Sequence, residues 1–389
     1  MADTSVKFFL STQPVTPPNT STAAGSIPAI LRACLVTGVG AVNVQTLTVN
    51  AGVATAVFAT AHGYLDWQVV EITGATPAQL NGEHRLTVVD QHTISYPVAG
   101  DVPDGAATGA ITARLAPAGW AELFSDSQTA VFSPTAEWAP DFVLRVNHAS
   151  GNTYATARLF DSMTSVDDGL SPVPTVGQMS SGVYWPTGWA NSGRAWVVVA
   201  DHSAVYFAVY GDNSNTGAIL CGCGEFRSMV PVDAGRVFIA GFVGANSVSP
   251  SNLAKNHASN GALYLAKNYL GNQESVIGRH QTDAPSINSS SESISGSIQF
   301  TSIPHPNAPG NGLLLSNVRL TEGSYVRGYL PGLLHVLTRV NGVFSLGEIV
   351  EAGVMGRKLL AVPVSLEGSA SANYRGAVMF DLSDWGRGW

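Results

Sequence analysis

Apolar and polar residues alternate with a period of two along much of this chain, in short stretches. The run Val53-Ala54-Thr55-Ala56-Val57-Phe58 is the clearest. Successive side chains of a strand point to opposite faces, so this pattern predicts a half-buried strand. Between residues 42 and 114 the same reading places strands at 45–50, 53–59, 68–73, 83–90, 93–97 and 109–115. Turn signals separate them: Asn50-Ala51-Gly52, His62-Gly63, Asn81-Gly82 and Asp104-Gly105. Glycine supplies the backbone freedom that tight turns demand. Short strands at such spacing predict a small barrel or sandwich.

The rest of the chain is also strand-rich, most clearly at 142–147, 155–161, 194–200, 205–209, 237–242, 297–303, 359–363 and 377–382. Helical spacing occurs in two places. Residues 26–35 put Ile27, Ile30, Leu31 and Cys34 on one face, with Ser26 as the cap, Pro28 in the first turn and Gly38 or Gly40 as the stop. Residues 260–270 show a weaker version through Leu263, Leu265, Ala266 and Leu270. The first 25 residues read as an extended arm: Val6 to Leu10 forms a strand, and Pro14, Pro17 and Pro18 deny a helix. The serine-rich run 287–293 predicts a loop. The expected architecture is mainly β: an N-terminal arm and short helix at 1–41, a small β-barrel or sandwich module at 42–114, and a larger β-rich domain at 115–389.

Composition narrows the function classes. Charged residues make up 12% of the 389, about half the roughly 25% of ordinary soluble domains. The net charge of −8 argues against a nucleic-acid partner, which needs a basic footprint. Apolar runs such as 195–200 fall far short of the roughly 18 residues of a membrane-spanning helix, and no membrane insertion is expected. The first residues lack the basic region and long apolar core of a signal peptide. Three cysteines, Cys34, Cys221 and Cys223, do not make a disulfide framework, and they predict folding in a reducing cytoplasm. Basic residues comprise four lysines and fifteen arginines. Interfaces deplete lysine and enrich arginine, so the scarcity of charge predicts extensive subunit contact.

Candidate chemistry is sparse. Cys221-Gly222-Cys223-Gly224 offers two thiols one residue apart, but a zinc site needs four ligands. The pair reads instead as a buried strand with both sulfurs on one face, beside Leu220 and Phe226. Nine histidines form neither His-x-His nor HExxH; His62 reads as a turn residue, and His84 and His92 as parts of the module. Asp167-Asp168 and the pair Asp381 and Asp384 could serve glycan hydrolysis as paired carboxylates, yet they read as a solvated loop and a charged turn. No nucleophile elbow or phosphate loop occurs. No catalytic residue, metal ligand or cofactor is expected, and the chain is read as not an enzyme.

The aromatic residues are more informative. Tyr184, Trp185 and Trp189 lie in a segment rich in Gly and Pro. They suit either packing and subunit contact or stacking on sugar rings, whereas Trp196 in an apolar run reads as core. Trp385 and Trp389 near the last residue predict docking on the chain's own domain or on a neighbour, since covering one such ring removes apolar area worth roughly 2–3 kcal/mol.

Residues 62–75, His62-Gly63-Tyr64-Leu65-Asp66-Trp67-Gln68-Val69-Val70-Glu71-Ile72-Thr73-Gly74-Ala75, with Leu80-Asn81-Gly82 and Thr93-Ile94-Ser95-Tyr96, resemble a small β-barrel module that recurs in tail-associated proteins of tailed bacteriophages. The likeness extends to an ordered set: Phe8-Phe9-Leu10-Ser11-Thr12, Arg32-Ala33-Cys34-Leu35-Val36-Thr37-Gly38, Leu115-Ala116-Pro117-Ala118-Gly119-Trp120, Gly182-Val183-Tyr184-Trp185, the run from Gly193 to Asp201, Gly328-Tyr329-Leu330-Pro331-Gly332-Leu333 and Leu359-Leu360-Ala361-Val362-Pro363. This layout is similar to a family of phage and prophage virion structural proteins. The resemblance implies a non-enzymatic virion component, at the tail tip, baseplate or fibre attachment. It would assemble as a homo-oligomer in the host cytoplasm with copies of itself and other virion proteins. Alternatives within the resemblance are a tail protein that binds a host-surface glycan through Tyr184, Trp185 and Trp189, and a capsid decoration or minor capsid protein. For subunit contacts the candidates are Phe8, Phe9 and Leu10, donated as a strand to a neighbour, with Trp385 and Trp389.

Overall fold

A computed structural model of the chain describes residues 3–15, 17–137, 139–188, 193–211, 217–230, 232–243, 253–254, 262–282, 313–337, 340, 342–352, 356–365 and 375–385. The fold is mainly β, as the alternation predicts. The expected strand at 297–303 and the expected loop at 287–293 lie outside the described residues, as do Trp189 and Trp389.

The small module is an eight-stranded barrel. Its first strand, Val39–Asn50, starts earlier and runs longer than the pattern suggests. It pairs with Val53–Phe58 on one side and with Thr112–Leu115 and Gly105–Ala106 on the other. From there the sheet continues one way through Val69–Thr73 to Gly82–Arg85, and the other way through Thr93–Pro97 to Thr87–Asp90. The two ends of this path are one stretch of chain, divided only at the buried residue Leu86. A single strand that bends at Leu86 therefore shuts the barrel. Alternate residues Leu47, Val49, Ala54, Ala56, Ile72, Ile94 and Ala113 fill it, and His84 stacks on Tyr96 with ring centres 4.1 Å apart.

The helix forms where expected, as Ser26–Arg32 continued by a wider π turn, Ala33–Thr37. Ile27, Ile30, Leu31 and Cys34 are buried together, and Gly38 ends it at φ 75°. The cap differs from expectation. Gly25, at φ 72°, takes the cap position, and a Cβ there would lie 2.7 Å from the Ser127 carbonyl oxygen. Ser26 instead accepts from the Ser21 N–H and donates to the Asn19 carbonyl.

The remaining strands form a five-stranded antiparallel sheet, a two-stranded one of Ser162–Met163 and Gly169–Leu170, and one thirteen-stranded sheet. The five are Trp120–Ser125, Thr129–Pro134, Val143–Asn147, Tyr154–Phe160 and Val183–Pro186. The larger sheet starts with Lys7–Leu10, Trp196–Ala200, Ala204–Tyr210 and Ala218–Glu225. It continues through Val237–Gly241, Ala262–Lys267, Glu274–Thr282, Leu315–Glu322, Tyr325–Val336, Arg375–Asp381 and Arg357–Ser365 to the edge strand Ile349–Ala352, and the thirteenth strand, Arg227–Ser228, pairs with Tyr325–Val336 off this path. A parallel bridge between Ala218 and Val364 joins Ala218–Glu225 to Arg357–Ser365 and turns the sheet back on itself as a ring.

Strands near the start of this sheet are covered on both faces, which explains their unbroken apolar runs. Val198, Phe207, Cys221, Cys223 and Ile239 join the core shared with the five-stranded sheet and the small barrel. Their alternates Val197, Val199, Tyr206, Leu220 and Phe238 join the core inside the ring. Both cysteine sulfurs thus share one face, but Leu220 and Phe226 belong to the opposite core and not beside them. The helix expected at 260–270 is instead the strand Ala262–Lys267, paired on both sides. Leu263 and Leu265 are two apart and both fully buried, so the operative period is two; Leu270 is exposed in the following turn.

Candidate functional site

Two places in this fold concentrate polar groups away from water: the joint between barrel, arm and sheet, and a cleft in the ring. At the joint the arm strand Lys7–Leu10 pairs antiparallel with Trp196–Ala200. Its outer edge, which would otherwise present bare backbone groups, is closed by two glutamines. Gln68 Nε2 donates to the Phe8 carbonyl at 3.0 Å, and Gln13 Oε1 accepts from the Leu10 N–H at 2.9 Å. The two amides bond each other, and Gln68 Oε1 also accepts from the Leu65 N–H. The Lys7 ammonium, buried, lies 2.9 Å from Glu83 of the barrel.

Arg85, also of the barrel, donates to the carbonyls of Asp3, Trp67 and Leu382 at 2.8–3.0 Å. Burial pulls its guanidinium down to about 10, with Asp3 and Glu83 opposing the shift. Residues 115–120 complete the joint. The Ala116 N–H donates to Val69 of the barrel, those of Ala118 and Gly119 to Cys34 and Leu35 at the helix end, and Trp120 Nε1 to the Asp201 carbonyl at 2.8 Å.

The cleft arises from an irregularity in the strand Tyr325–Val336. Asn317 opposes Leu334, yet Arg319, two residues on, opposes Tyr329. Residues 330–333 therefore face the single residue Val318 as a bulge, with Leu330 and Leu333 still buried in the ring core, and bulges commonly re-aim chain beside functional sites. Gly332 sits at φ 66°, and a Cβ there would lie 2.0 Å from Trp385 Nε1. Only glycine permits this approach. The Trp385 indole donates to the Asp381 carbonyl at 2.7 Å, packs edge-on against Tyr206, and is buried. Tyr206 Oη donates to the Pro331 carbonyl at 2.9 Å and so pins the bulge.

The bulge leaves a cleft of about 450 Å³ bordered by Arg227, Met229, Asn317, Tyr329 and Trp385. A smaller hollow of about 160 Å³ shares Arg227, Pro331 and Trp385 with it and adds Asp201 and Glu225. Burial pushes the Asp201 carboxyl up to about 6, against the pull of the Ser203 and Ala204 N–H groups, with Glu225 adding to the rise. Glu225 is also raised by burial, although Arg236 pairs with it. Perturbed carboxyls beside a cavity mark a candidate site.

The cleft floor is held from behind by Arg327. This fully buried side chain forks onto both oxygens of Asp233 at 2.9 and 3.1 Å, pairs with Glu322, and donates to the Lys267 carbonyl. Ser228 Oγ, on the cleft wall, donates to Asp233 at 2.7 Å.

The residues singled out in the sequence fall elsewhere. Phe8, Phe9 and Leu10 are buried in the chain's own cores, each worth roughly 1.5–3 kcal/mol of burial. The strand they form pairs within the chain, with Trp196–Ala200. Trp385 docks on its own domain. Trp185 is fully buried, stacks on Phe207 and donates Nε1 to the Ala240 carbonyl at 3.0 Å, so it cannot stack on a sugar. Tyr184 is half-buried, edge-on to Tyr154, and its backbone bonds Phe242.

His62 is buried, not merely a turn residue: it accepts from the Tyr64 N–H and contacts the Asp90 carbonyl. Asp167 is exposed and pairs with Arg145; Asp381 is buried and caps Ser383. Among the described residues no group of His, Cys, Asp and Glu could hold a metal. Sequence reasoning passed over Asp201, Glu225, Arg227 and Asn317. The one signal near them was Pro331-Gly332, a turn dipeptide inside a strand pattern. No protein-family model matches the chain, and no curated protein matches it.

Proposed function

We propose that this chain is a non-enzymatic structural component of a tailed-phage virion, at the tail tip, baseplate or fibre attachment, assembling with copies of itself and with other virion proteins. The observation that carries the reading is convergence. The motifs behind the family resemblance are scattered along the chain, yet they meet in space. Phe8 to Leu10 pairs with the strand of the run ending at Asp201. The helix end Cys34-Leu35 accepts from Ala118 and Gly119. Trp120 reaches Asp201, and Pro331 receives Tyr206. A motif set that builds the joints of a fold is what a shared architecture requires, and it supports treating the layout as one unit. The buried cysteines, and His62, His84 and His148 bonded to backbone groups, fit a scaffold better than a reaction centre. The test is gold labelling of intact particles with an antibody to the purified chain. Label on tails is expected; label on heads would favour the capsid alternative, and unlabelled particles would overturn the proposal.

A further inference from the structure

We propose that the bulge cleft between Arg227, Asn317, Tyr329 and Trp385 binds a neutral polyhydroxylated ligand, one or two sugar units of a neutral glycan. This inference goes beyond the virion reading and does not depend on it. It rests first on shape. A cavity of about 450 Å³ falls in the roughly 300–1,000 Å³ range of small-molecule sites, and it is formed by a bulge fixed at Gly332, Pro331 and Tyr206, not by a loose loop.

It rests second on the mixture of groups. A sugar hydroxyl both donates and accepts, so a site for it needs donors and acceptors side by side. Arg227 and the Asn317 amide supply donors along the main cleft, and the adjoining hollow is bordered by two acceptors, Glu225, whose Oε1 pairs with Arg236, and Asp201, whose Oδ1 accepts from Ser203 and Ala204. Arg227 and the Arg236 that pairs with Glu225 balance the two carboxylates, so neither an anionic nor a cationic ligand gains a net attraction. A neutral ligand with many hydroxyls satisfies both halves. Its C–H faces would pack on Tyr329 and on Met229, which is 60% exposed, a flexible apolar rim.

The segment first considered for this role offers no such surface, because Trp185 is in the core. The cleft also explains why buried Arg327 is tied to Asp233 and Glu322 behind it. A binding site needs a wall that does not move, and Ser228 transmits that rigidity to the cleft.

The test uses the purified full chain, titrated by ligand-observed NMR and calorimetry. The probes are neutral hexose and N-acetylhexosamine disaccharides, a uronic-acid disaccharide and a glucosamine disaccharide. At least one neutral probe is expected to bind at least tenfold more tightly than both charged ones. Asn317 is exposed on the cleft edge, so N317W fills the cleft without touching a core and should weaken that binding tenfold or more; N317A should weaken it by a smaller factor. Failure of every neutral probe to bind, equal binding of charged probes, or undiminished binding by folded N317W would each overturn the proposal.

Discussion

The small barrel and the large ring are both closed β structures, but they close differently. The barrel is shut by one strand that bends at Leu86 and pairs on both sides. Its hairpins are mostly short, and its core is a regular set of alternate residues. The ring is shut by one parallel bridge, Ala218 to Val364, and is broken open by the bulge at 330–333. Their buried arginines differ in the same sense. Arg85 gathers three backbone carbonyls and ties separate segments together. Arg327 gathers two carboxylates and holds one irregular region rigid. Regular closure fills the barrel with alternate side chains, whereas irregular closure leaves the cleft beside the bulge, with buried charge behind it to hold its shape.

The largest test of this contrast is Arg327→Leu. It would strand Asp233 and Glu322 without their partner, and breaking a buried pair from one side costs about 3–5 kcal/mol. Urea denaturation should show that loss. A loss below about 1 kcal/mol would mean that water reaches the carboxylates and that the cleft wall is not a buried network.

A second test concerns pH. Asp201 lies at about 6 against an ordinary 3.8, and His335, fully buried in the ring against the Leu253 carbonyl, lies at about 4 against 6.5, lowered by burial. A raised carboxyl contributes stability that is fully present below its ordinary value and is lost as pH rises through 6. A lowered imidazole contributes stability that is present above 6.5 and is lost as pH falls through about 4. Between pH 6 and 4 the two slopes therefore oppose, each over about two pH units and up to about 3 kcal/mol. His62, His84 and His148, all lowered by burial, slope with His335. Asp201→Asn removes its share of the opposing slope and leaves that of Glu225, also raised by burial, so the variant should lose stability faster than the parent from pH 6 to pH 4, by up to about 1.4 kcal/mol per unit. Identical slopes in urea melts across that range would refute this.

How legible each region was in the sequence follows the same contrast. The barrel strands and most of its turns could be read from alternation and from Asn-Gly and Asp-Gly pairs, even though four of its seven pairings join strands that are not consecutive in the chain. The ring could not. Glu274–Thr282 and Leu315–Glu322 carry many polar residues, so their alternation is faint, although each pairs only with the strands before and after it in the chain. Leu263 and Leu270 mimicked helical spacing, while burial on both sides of Ala262–Lys267 imposed a strand. Trp185 looked like a loop aromatic because Gly and Pro surround it, but Tyr154–Phe160 pairs with it and draws it inward. The cleft was least legible, since Asp201, Arg227, Asn317 and Trp385 come from distant stretches and only the fold assembles them.

The smallest expected effect probes whether the two closed units depend on each other. Gln68→Ala removes a donor to the Phe8 carbonyl and an acceptor for the Leu65 N–H, both at the buried joint. Leaving such groups unpaired costs about 1–3 kcal/mol. Because Gln68 belongs to the barrel side and Phe8 to the strand that borders the large sheet, the loss should fall on both units at once. Tryptophan fluorescence and far-ultraviolet circular dichroism of the variant should then report one transition, shifted to lower urea by the same amount. Two separated transitions would show that the barrel and the ring each stand alone, and that the joint positions the units without stabilising either.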